Sequence, residues 1–214
     1  CLLGATGETL WSNFVPDSSN FMVYDGLLYS QNGCYDTKDG KKLWETKTND
    51  FAIGDGKFFS YYYYGDDYKN RKILLTCLDA RTGKKIWEND ISKLDIYNSN
   101  IFYTNGILIC GNTLGVDGTT GKILWKTFIS YGGCYQDPSI FAANGFFVTI
   151  SITCMDFFLN KAGAEDYYDT SRIPYCHVNI LNAFNGKIIR KLEFRVTSYP
   201  MIARDKIYFL SAMN

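Results

Sequence analysis

The segment CLDARTGKKIW, residues 77–87, decides the fold because it recurs along the chain. Four other eleven-residue segments align with it without a gap: CLLGATGETLW (1–11), CYDTKDGKKLW (34–44), GVDGTTGKILW (115–125) and ILNAFNGKIIR (180–190). The seventh residue is always glycine, and the tenth is always leucine or isoleucine. Successive copies begin 33, 43, 38 and 65 residues apart. Self-similarity at such a period predicts a repeat architecture.

Three positions of the repeat have a physical role that the residue types predict. A short polar side chain at the third position can accept backbone N–H groups and close an Asx-turn. The glycine at the seventh position supplies a positive φ in the hairpin turn. The tryptophan at the eleventh position offers a large apolar ring and one N–H for docking between sheets. These structural residues are Asp36, Asp79, Asp117 and Asn182 (with Leu3 as the exception), Gly7, Gly40, Gly83, Gly121 and Gly186, and Trp11, Trp44, Trp87 and Trp125, with Arg190 in the last copy.

A second turn precedes each of the four later copies and predicts two further strands. The turn dipeptides are Asp25-Gly26, Asp55-Gly56, Asn105-Gly106 and Asn144-Gly145, and apolar stretches flank each of them. Each unit therefore reads as four short antiparallel strands, which is typical of a β-propeller blade. We predict an all-β propeller of four complete blades and two complementary half-blades, in one domain over residues 1–214. The ring is either closed with five blades or an arc of a seven- or eight-bladed ring.

Composition and motifs argue against several function classes. Lys plus Arg equals Asp plus Glu at 22 each, so no nucleic-acid-binding surface is expected. No apolar run is long enough to span a bilayer. None of the seven cysteines forms a Cys-x-x-Cys pair, and His177 is the single histidine, so a zinc site is not expected. No nucleophilic triad or phosphate-binding loop is recognisable, and no catalytic residue is predicted.

The pattern Asp-x-x-Thr-Gly-Lys-x-x-Trp resembles the tryptophan-docking repeat of the quinoprotein-type (PQQ-like) β-propellers. LDARTGKKIW (78–87) and VDGTTGKILW (116–125) carry the resemblance most clearly, and the repeats extend it over the whole chain. The family includes quinone-dependent dehydrogenases, outer-membrane assembly lipoproteins and sensor domains fused to kinases. The resemblance implies the propeller fold and a location outside the cytoplasm, in the periplasm, a lumen or the medium.

The dehydrogenase members of that family imply one testable alternative. They hold the quinone between a tryptophan floor and a disulfide of adjacent cysteines, beside calcium and a catalytic aspartate. This sequence has no Cys-Cys pair, and all four of its tryptophans fall at the repeat position. We therefore expect no cofactor and a non-enzymatic scaffold for protein–protein interaction or assembly. The alternative is a quinone- or calcium-dependent dehydrogenase-like or ligand-binding propeller.

Two interruptions of the repeat are the predicted contact surfaces. Long insertions leave a propeller through its loops and often bind partners. The first interruption is the tyrosine-rich segment 61–68, and the second is the insertion 156–176. The interaction candidates are Tyr61, Tyr62, Tyr63, Tyr64, Tyr68, Phe157, Phe158, Tyr167 and Tyr168.

Cysteines and carboxylates in and around the insertion leave further alternatives open. Cys154 and Cys176 flank it and could form a disulfide in an oxidising compartment. Asp156, Glu165, Asp166 and Asp169 could bind calcium, although their spacing departs from an EF-hand, and a solvated acidic loop is the other interpretation. Cys1, Cys34 and Cys77 share the first repeat position, where we expect them to act as small hydrophobic residues.

Overall fold

A computed structural model describes residues 1, 5–12, 20–65, 71–94, 96, 100–111, 114–127, 139–153, 175–195, 201–203 and 206–208. Across these ranges the chain consists of β-strands, turns and one short 3-10 helix at Ser92–Leu94. The same residues include no helix with the length and apolar character needed to cross a membrane. The chain divides into two compact units, Cys1–Lys126 and Thr127–Asn214. That residues 1–214 form a single domain stays a prediction.

The first unit contains three four-stranded antiparallel sheets, each ordered as in the sequence. Blade A comprises β1 (Phe21–Tyr24), β2 (Leu27–Ser30), β3 (Gly33–Asp36) and β4 (Lys42–Glu45). Blade B comprises β5 (Asp50–Gly54), β6 (Lys57–Tyr64), β7 (Lys72–Asp79) and β8 (Lys85–Asp90). Blade C comprises β9 (Ile101–Thr104), β10 (Ile107–Cys110), β11 (Leu114–Asp117) and β12 (Ile123–Lys126).

The second unit contains one further blade and a hairpin. Blade D comprises β13 (Ser139–Ala143), β14 (Phe146–Thr153), β15 (Tyr175–Asn182) and β16 (Ile188–Arg195), and the hairpin comprises β17 (Met201–Ala203) and β18 (Lys206–Tyr208). Four sheets of four antiparallel strands confirm the predicted fold class, an all-β chain with propeller-type blades. The number of blades in the ring stays a prediction.

The first two strands of every blade are joined by the two-residue turn that the sequence predicts. Both residues of these turns have φ between 45° and 83°, as a type I′ turn requires. In blade A the last pair of the ladder is Tyr24↔Leu27, so the turn consists of the two residues between them. The four predicted dipeptides are confirmed: Asp25-Gly26, Asp55-Gly56, Asn105-Gly106 and Asn144-Gly145.

Blade B packs against a hydrophobic core on each face, and neighbouring residues of β6 point to opposite faces. Phe58 belongs to the core shared with blade A, which contains Tyr29 and Cys34. Phe59 belongs to the core shared with blade C, which contains Leu108. Both phenylalanines are fully buried. The three blades of the first unit are therefore packed face to face in chain order.

Strands β14 and β15 define the ends of the predicted insertion more narrowly. Their last pair is Thr153↔Tyr175, and Cys176 pairs with Ile152. The prediction that Tyr175 and Cys176 lie in the insertion was wrong, because the ladder continues through them and they belong to the blade. Residues 154–174 lie outside the described ranges.

Candidate interaction surface

Each described tryptophan–carbonyl hydrogen bond joins one repeat to the next. The indole N–H donates to the backbone oxygen of the fourth residue of the following repeat. The two residues are far apart in the sequence in every pair. The three pairs are Trp11 to Thr37 (2.8 Å), Trp44 to Ala80 (2.9 Å) and Trp87 to Gly118 (3.2 Å). In blades A and B the indole thus fixes the position of the blade on the third-to-fourth-strand turn of the next blade, and Trp11 docks on blade A in the same way.

The glycine of the following repeat lies under each of these rings. A Cβ at Gly40 would lie 2.6 Å from the Trp11 ring, and one at Gly83 would lie 2.7 Å from Trp44. At Gly121 the nearest atoms would be Asn89 and the Trp87 ring, both at 2.9 Å. The same three glycines have φ of 74°, 70° and 75°, which other residues adopt at a cost. Turn geometry and tryptophan contact therefore both require glycine here.

The third-position carboxylates close the same turns. Asp36 Oδ1 accepts the Lys38 N–H at 2.8 Å, and Asp79 Oδ1 accepts the Thr82 N–H at 2.8 Å. Asp117 Oδ1 accepts the N–H groups of Thr119 and Thr120 at 2.9 and 2.8 Å. Hydrogen bonds from Thr82 lower the pKa of Asp79, and those from Thr120 lower the pKa of Asp117. In the last repeat Asn182 Oδ1 accepts the Phe184 N–H at 2.8 Å.

Two repeat positions depart from this pattern in an instructive way. Gly7 has φ of 72°, and a Cβ there would meet nothing within 4 Å. Trp125 is 9% exposed, and its ring fills the space in which a Cβ at Gly115 would lie, 2.0 Å away. Glycine replaces cysteine at the first position of that repeat because this ring occupies the site.

The cysteines of the first unit are free thiols with structural surroundings. Cys34, Cys77 and Cys110 are buried, whereas Cys1 is exposed. Burial raises the pKa of Cys34 to about 11 and that of Cys77 to about 12, so neither thiol is reactive near neutral pH. The candidate disulfide falls outside the described residues, because Cys154 and the side chain of Cys176 are not among them.

The β6–β7 hairpin of blade B, whose strands have eight residues each, extends beyond the end of its neighbour β5. The last pair of β6 with β5 is Tyr61↔Asp50, whereas β6 and β7 stay paired as far as Tyr64↔Lys72. We call residues 62–64 and 72–74 the hairpin extension. It lies where the second strand of blade B connects to the third. In blade D the corresponding connection joins β14 to β15.

One side of the hairpin extension is covered. Tyr61 is 3% exposed and belongs to the core between blades B and C, against which Tyr63 packs. The Arg71 guanidinium lies 4.2 Å from the centroid of the Tyr63 ring. Ile73 is buried in the same core, and the Ile91 N–H donates to its carbonyl at 3.0 Å. Tyr61 and Tyr63, both predicted as contact residues, therefore contribute mainly to packing.

The other side belongs to neither hydrophobic core and forms the candidate surface. Tyr62 and Tyr64 lie on it with ring centroids 5.9 Å apart and an interplanar angle of 31°. Leu74 is paired across from Tyr62 and is half-buried. The ammonium groups of Lys47 and Lys72 each lie 5.8 Å from a ring centroid, Lys47 over Tyr62 and Lys72 over Tyr64. We call these five residues the Tyr62–Tyr64 face.

The tyrosines of this face were predicted from the sequence as contact residues, whereas its lysines were not. Lys72 could have been found from strand register, since it is paired with Tyr64. Lys47 comes from the connection between blades A and B, so only tertiary structure brings it to Tyr62. The remaining predicted contact residues lie outside the described ranges: Tyr68, Phe157, Phe158, Tyr167 and Tyr168.

The residue types that could hold a metal ion or act as acids and bases are dispersed in the part of the chain that the structure describes. Within it, no three His, Cys, Asp or Glu side chains are grouped to hold a metal ion. The calcium candidates Asp156, Glu165, Asp166 and Asp169 are outside that part. His177 Nδ1 lies 3.1 Å from Glu193 Oε1 across β15 and β16. Trp11, Trp44 and Trp87, three of the residues that a quinone floor would draw on, each donate their indole N–H to a neighbouring repeat.

Comparison with protein-family models and with curated proteins gives no match. Among solved structures, the chain is similar to the crystal structure of BamB from Moraxella catarrhalis. That similarity covers 98% of this chain and 75% of the other, at 17% sequence identity and a TM-score of 0.43. By the geometry of its own blades, in which each docked tryptophan packs on the glycine of the next repeat, the chain is a propeller-type protein.

Proposed function

We propose that this protein is a non-enzymatic propeller that binds another protein through the second-to-third-strand loops of its blades. The observation that carries the proposal is the Tyr62–Tyr64 face. It is aromatic, it belongs to no core of the first unit, and it stands on a hairpin longer than those of blades A and C.

The residue types of the face support protein contact. Tyrosine offers a large ring at a low cost in side-chain entropy, and it is enriched at protein interfaces. Tyr64 is 44% exposed, so its ring is accessible to a partner. Because β6 and β7 are anchored in two cores, a partner would meet a surface that is already ordered.

The insertion, predicted at 156–176 and narrowed by the strands to the 154–174 connection, is a second proposed contact segment. It leaves blade D between β14 and β15, the position that corresponds to the 65–71 connection of blade B. Insertions at equivalent loops of a repeat protein commonly form its binding side. We also propose a location outside the cytoplasm, which rests on the resemblance of the repeat to the PQQ-like propellers.

Site-specific photo-crosslinking tests the proposal. A photoreactive phenylalanine analogue would replace Tyr64, and in a matched variant it would replace Ile86, which is 49% exposed on the outer strand of the same blade. Irradiation in the cells from which the protein comes should give a discrete protein adduct from position 64 and none from position 86. Equal yields at both positions, or no adduct at 64, would refute the proposed surface.

Deletion of the insertion tests its second part. Replacing residues 154–174 with a two-residue Asn-Gly turn leaves the β14–β15 ladder intact as far as the Thr153↔Tyr175 pair. The position-64 adduct should weaken at least severalfold, while the thermal midpoint changes little. An undiminished adduct would exclude the insertion from the surface.

A further inference from the structure

We propose that the Tyr62–Tyr64 face binds an acidic segment of the partner in an extended conformation. This inference rests on the proposed function, because it names the chemistry of the partner at the same surface. It depends on two observations, the charge of the face and the spacing of its rings.

The charge of the face is positive, and Lys47 supplies the clearest part of it. Its ammonium lies over the Tyr62 ring, and within the described part of the chain no carboxylate forms an ion pair with it. The ring attracts the ammonium through its quadrupole but adds no negative charge. The cation is therefore positioned and still able to pair with an anion.

Lys72 is only partly neutralised. Its Nζ lies 3.9 Å from Asp90 Oδ2, and both side chains are about half exposed, at 48% and 52%. Exposed ion pairs of this length are weak. Asp90 also accepts the Ser92 N–H at 3.0 Å and a short hydrogen bond from the Ser92 hydroxyl. The next carboxylate along β8, Glu88, is shared between Lys85 and Thr76.

The spacing of the two rings fits an extended chain. Alternate side chains on one side of a β-strand are about 6.6 Å apart, at ~3.3 Å per residue. The centroids of Tyr62 and Tyr64 are 5.9 Å apart, and each ring has one lysine above it. Glutamates at positions i and i+2 of a partner segment can therefore place their methylene groups on the rings and their carboxylates at Lys47 and Lys72.

A titration followed by NMR tests the inference with a defined probe. The probe is a synthetic peptide with glutamate at alternate positions and serine between, added to the uniformly 15N-labelled full chain. Matched peptides carry glutamine or lysine in place of glutamate. Amide shifts should concentrate at residues 47, 62–64 and 72 for the glutamate peptide. The glutamine peptide should bind at least tenfold more weakly, and binding should weaken further as salt rises.

Charge-reversal variants provide the matched control. Lys47→Glu with Lys72→Glu should abolish the shifts and reduce the position-64 photo-adduct at least tenfold. Lys84→Glu with Lys122→Glu makes the same change in net charge at two exposed hairpin turns, and it should do neither. Thermal midpoints of both variants show whether the fold is retained. Lys47→Met with Lys72→Met removes the charges while keeping side-chain length, in case the reversed pair does not fold.

The outcomes separate this inference from the proposed function. A strong adduct at position 64 that survives charge reversal, or equal binding of the glutamate and glutamine peptides, would overturn the acidic segment while leaving protein binding intact. Absence of any adduct at position 64 would overturn the proposed function itself.

Discussion

At the scale of single residues, Trp44 and Gly83 illustrate how one pair connects two blades. The Trp44 ring meets Phe58 edge-on, with centroids 5.2 Å apart, while its N–H donates to the Ala80 carbonyl. Gly83 lies against the other part of the ring, where any Cβ would be too close. The glycine therefore combines a backbone requirement with a packing requirement.

The two requirements can be separated by comparing two alanine substitutions. Gly83→Ala and Gly56→Ala place a Cβ on nearly the same backbone, with φ of 70° and 68°, but only the first Cβ meets a ring. We expect Gly56→Ala to cost about 1 kcal/mol from strain, and Gly83→Ala to cost a further ~1–3 kcal/mol from overpacking. Urea denaturation of the two variants and the wild type measures the difference. Equal losses would mean that the tryptophan contact contributes nothing at this position.

At the scale of the element, the third-to-fourth-strand turn is held by a side-chain acceptor and a backbone ladder. The Gly121 N–H donates to the Asp117 carbonyl at 2.8 Å, and the Asp117 N–H donates to the Lys122 carbonyl at 2.8 Å. The carboxylate adds its own hydrogen bonds inside this loop. The turn is thus longer than a two-residue hairpin, and a bulge between Gly115 and Val116 accommodates it.

The carboxylate makes this turn sensitive to acid. Hydrogen bonds from Thr120 lower the folded-state pKa of Asp117, so their stabilisation is complete above the unfolded value, near 4, and is lost as pH falls through the folded value. Asp117→Asn keeps an acceptor but removes the titration. At pH 7 the free energy of unfolding of the wild type should exceed that of the variant by about 1 kcal/mol or less, because the site is exposed. The advantage should decline as the pH falls below about 4.

The last repeat supplies the reciprocal variant. Asn182 already holds the equivalent turn, so Asn182→Asp should introduce acid sensitivity that the wild type lacks there. Urea denaturation at pH 7 and at low pH measures both variants. A difference between wild type and Asp117→Asn that does not change with pH would contradict the role of the ionised carboxylate.

At the scale of the whole molecule, strand order and loop position decide what is available for function. The blades of the first unit use their tryptophans, glycines and small cysteines for packing, and the long hairpin of blade B presents a surface outside both cores. In the second unit the long β14–β15 hairpin leaves the same end of its blade. Function is therefore expected where the repeat is interrupted.

The cofactor alternative makes a prediction at this same scale. A quinone site of the dehydrogenase type needs a group of metal ligands beside the cofactor, and among the described residues no three His, Cys, Asp or Glu side chains form one. After incubation with pyrroloquinoline quinone and calcium, followed by gel filtration, the protein should carry no quinone absorbance and should oxidise no alcohol in a dye-linked assay. A bound chromophore at one per protein molecule would favour the quinone-dependent alternative over the non-enzymatic scaffold.

Much of the fold could be predicted because its signals are local. The Asp-Gly and Asn-Gly dipeptides specify type I′ turns through φ alone, and apolar stretches on either side fix the strands. The four-stranded blades follow from these turns and the repeat. The candidate surface could be predicted only in part. Alternation along β6 indicates that two of the four tyrosines point to one side of the strand and two to the other, but it does not indicate which side is covered by a core.

The sequence by itself determined the blade, because turn geometry and strand alternation are properties of neighbouring residues. Only the tertiary structure decided which features of that blade are exposed. Tyr63 is packed because the segment around Ile91 and Leu94 covers its side of the hairpin, while Tyr62 is left on the other side with Lys47 above it. These contacts join residues that are distant in the sequence. Their energies depend on how far each side chain is buried, and a local sequence pattern does not contain that information.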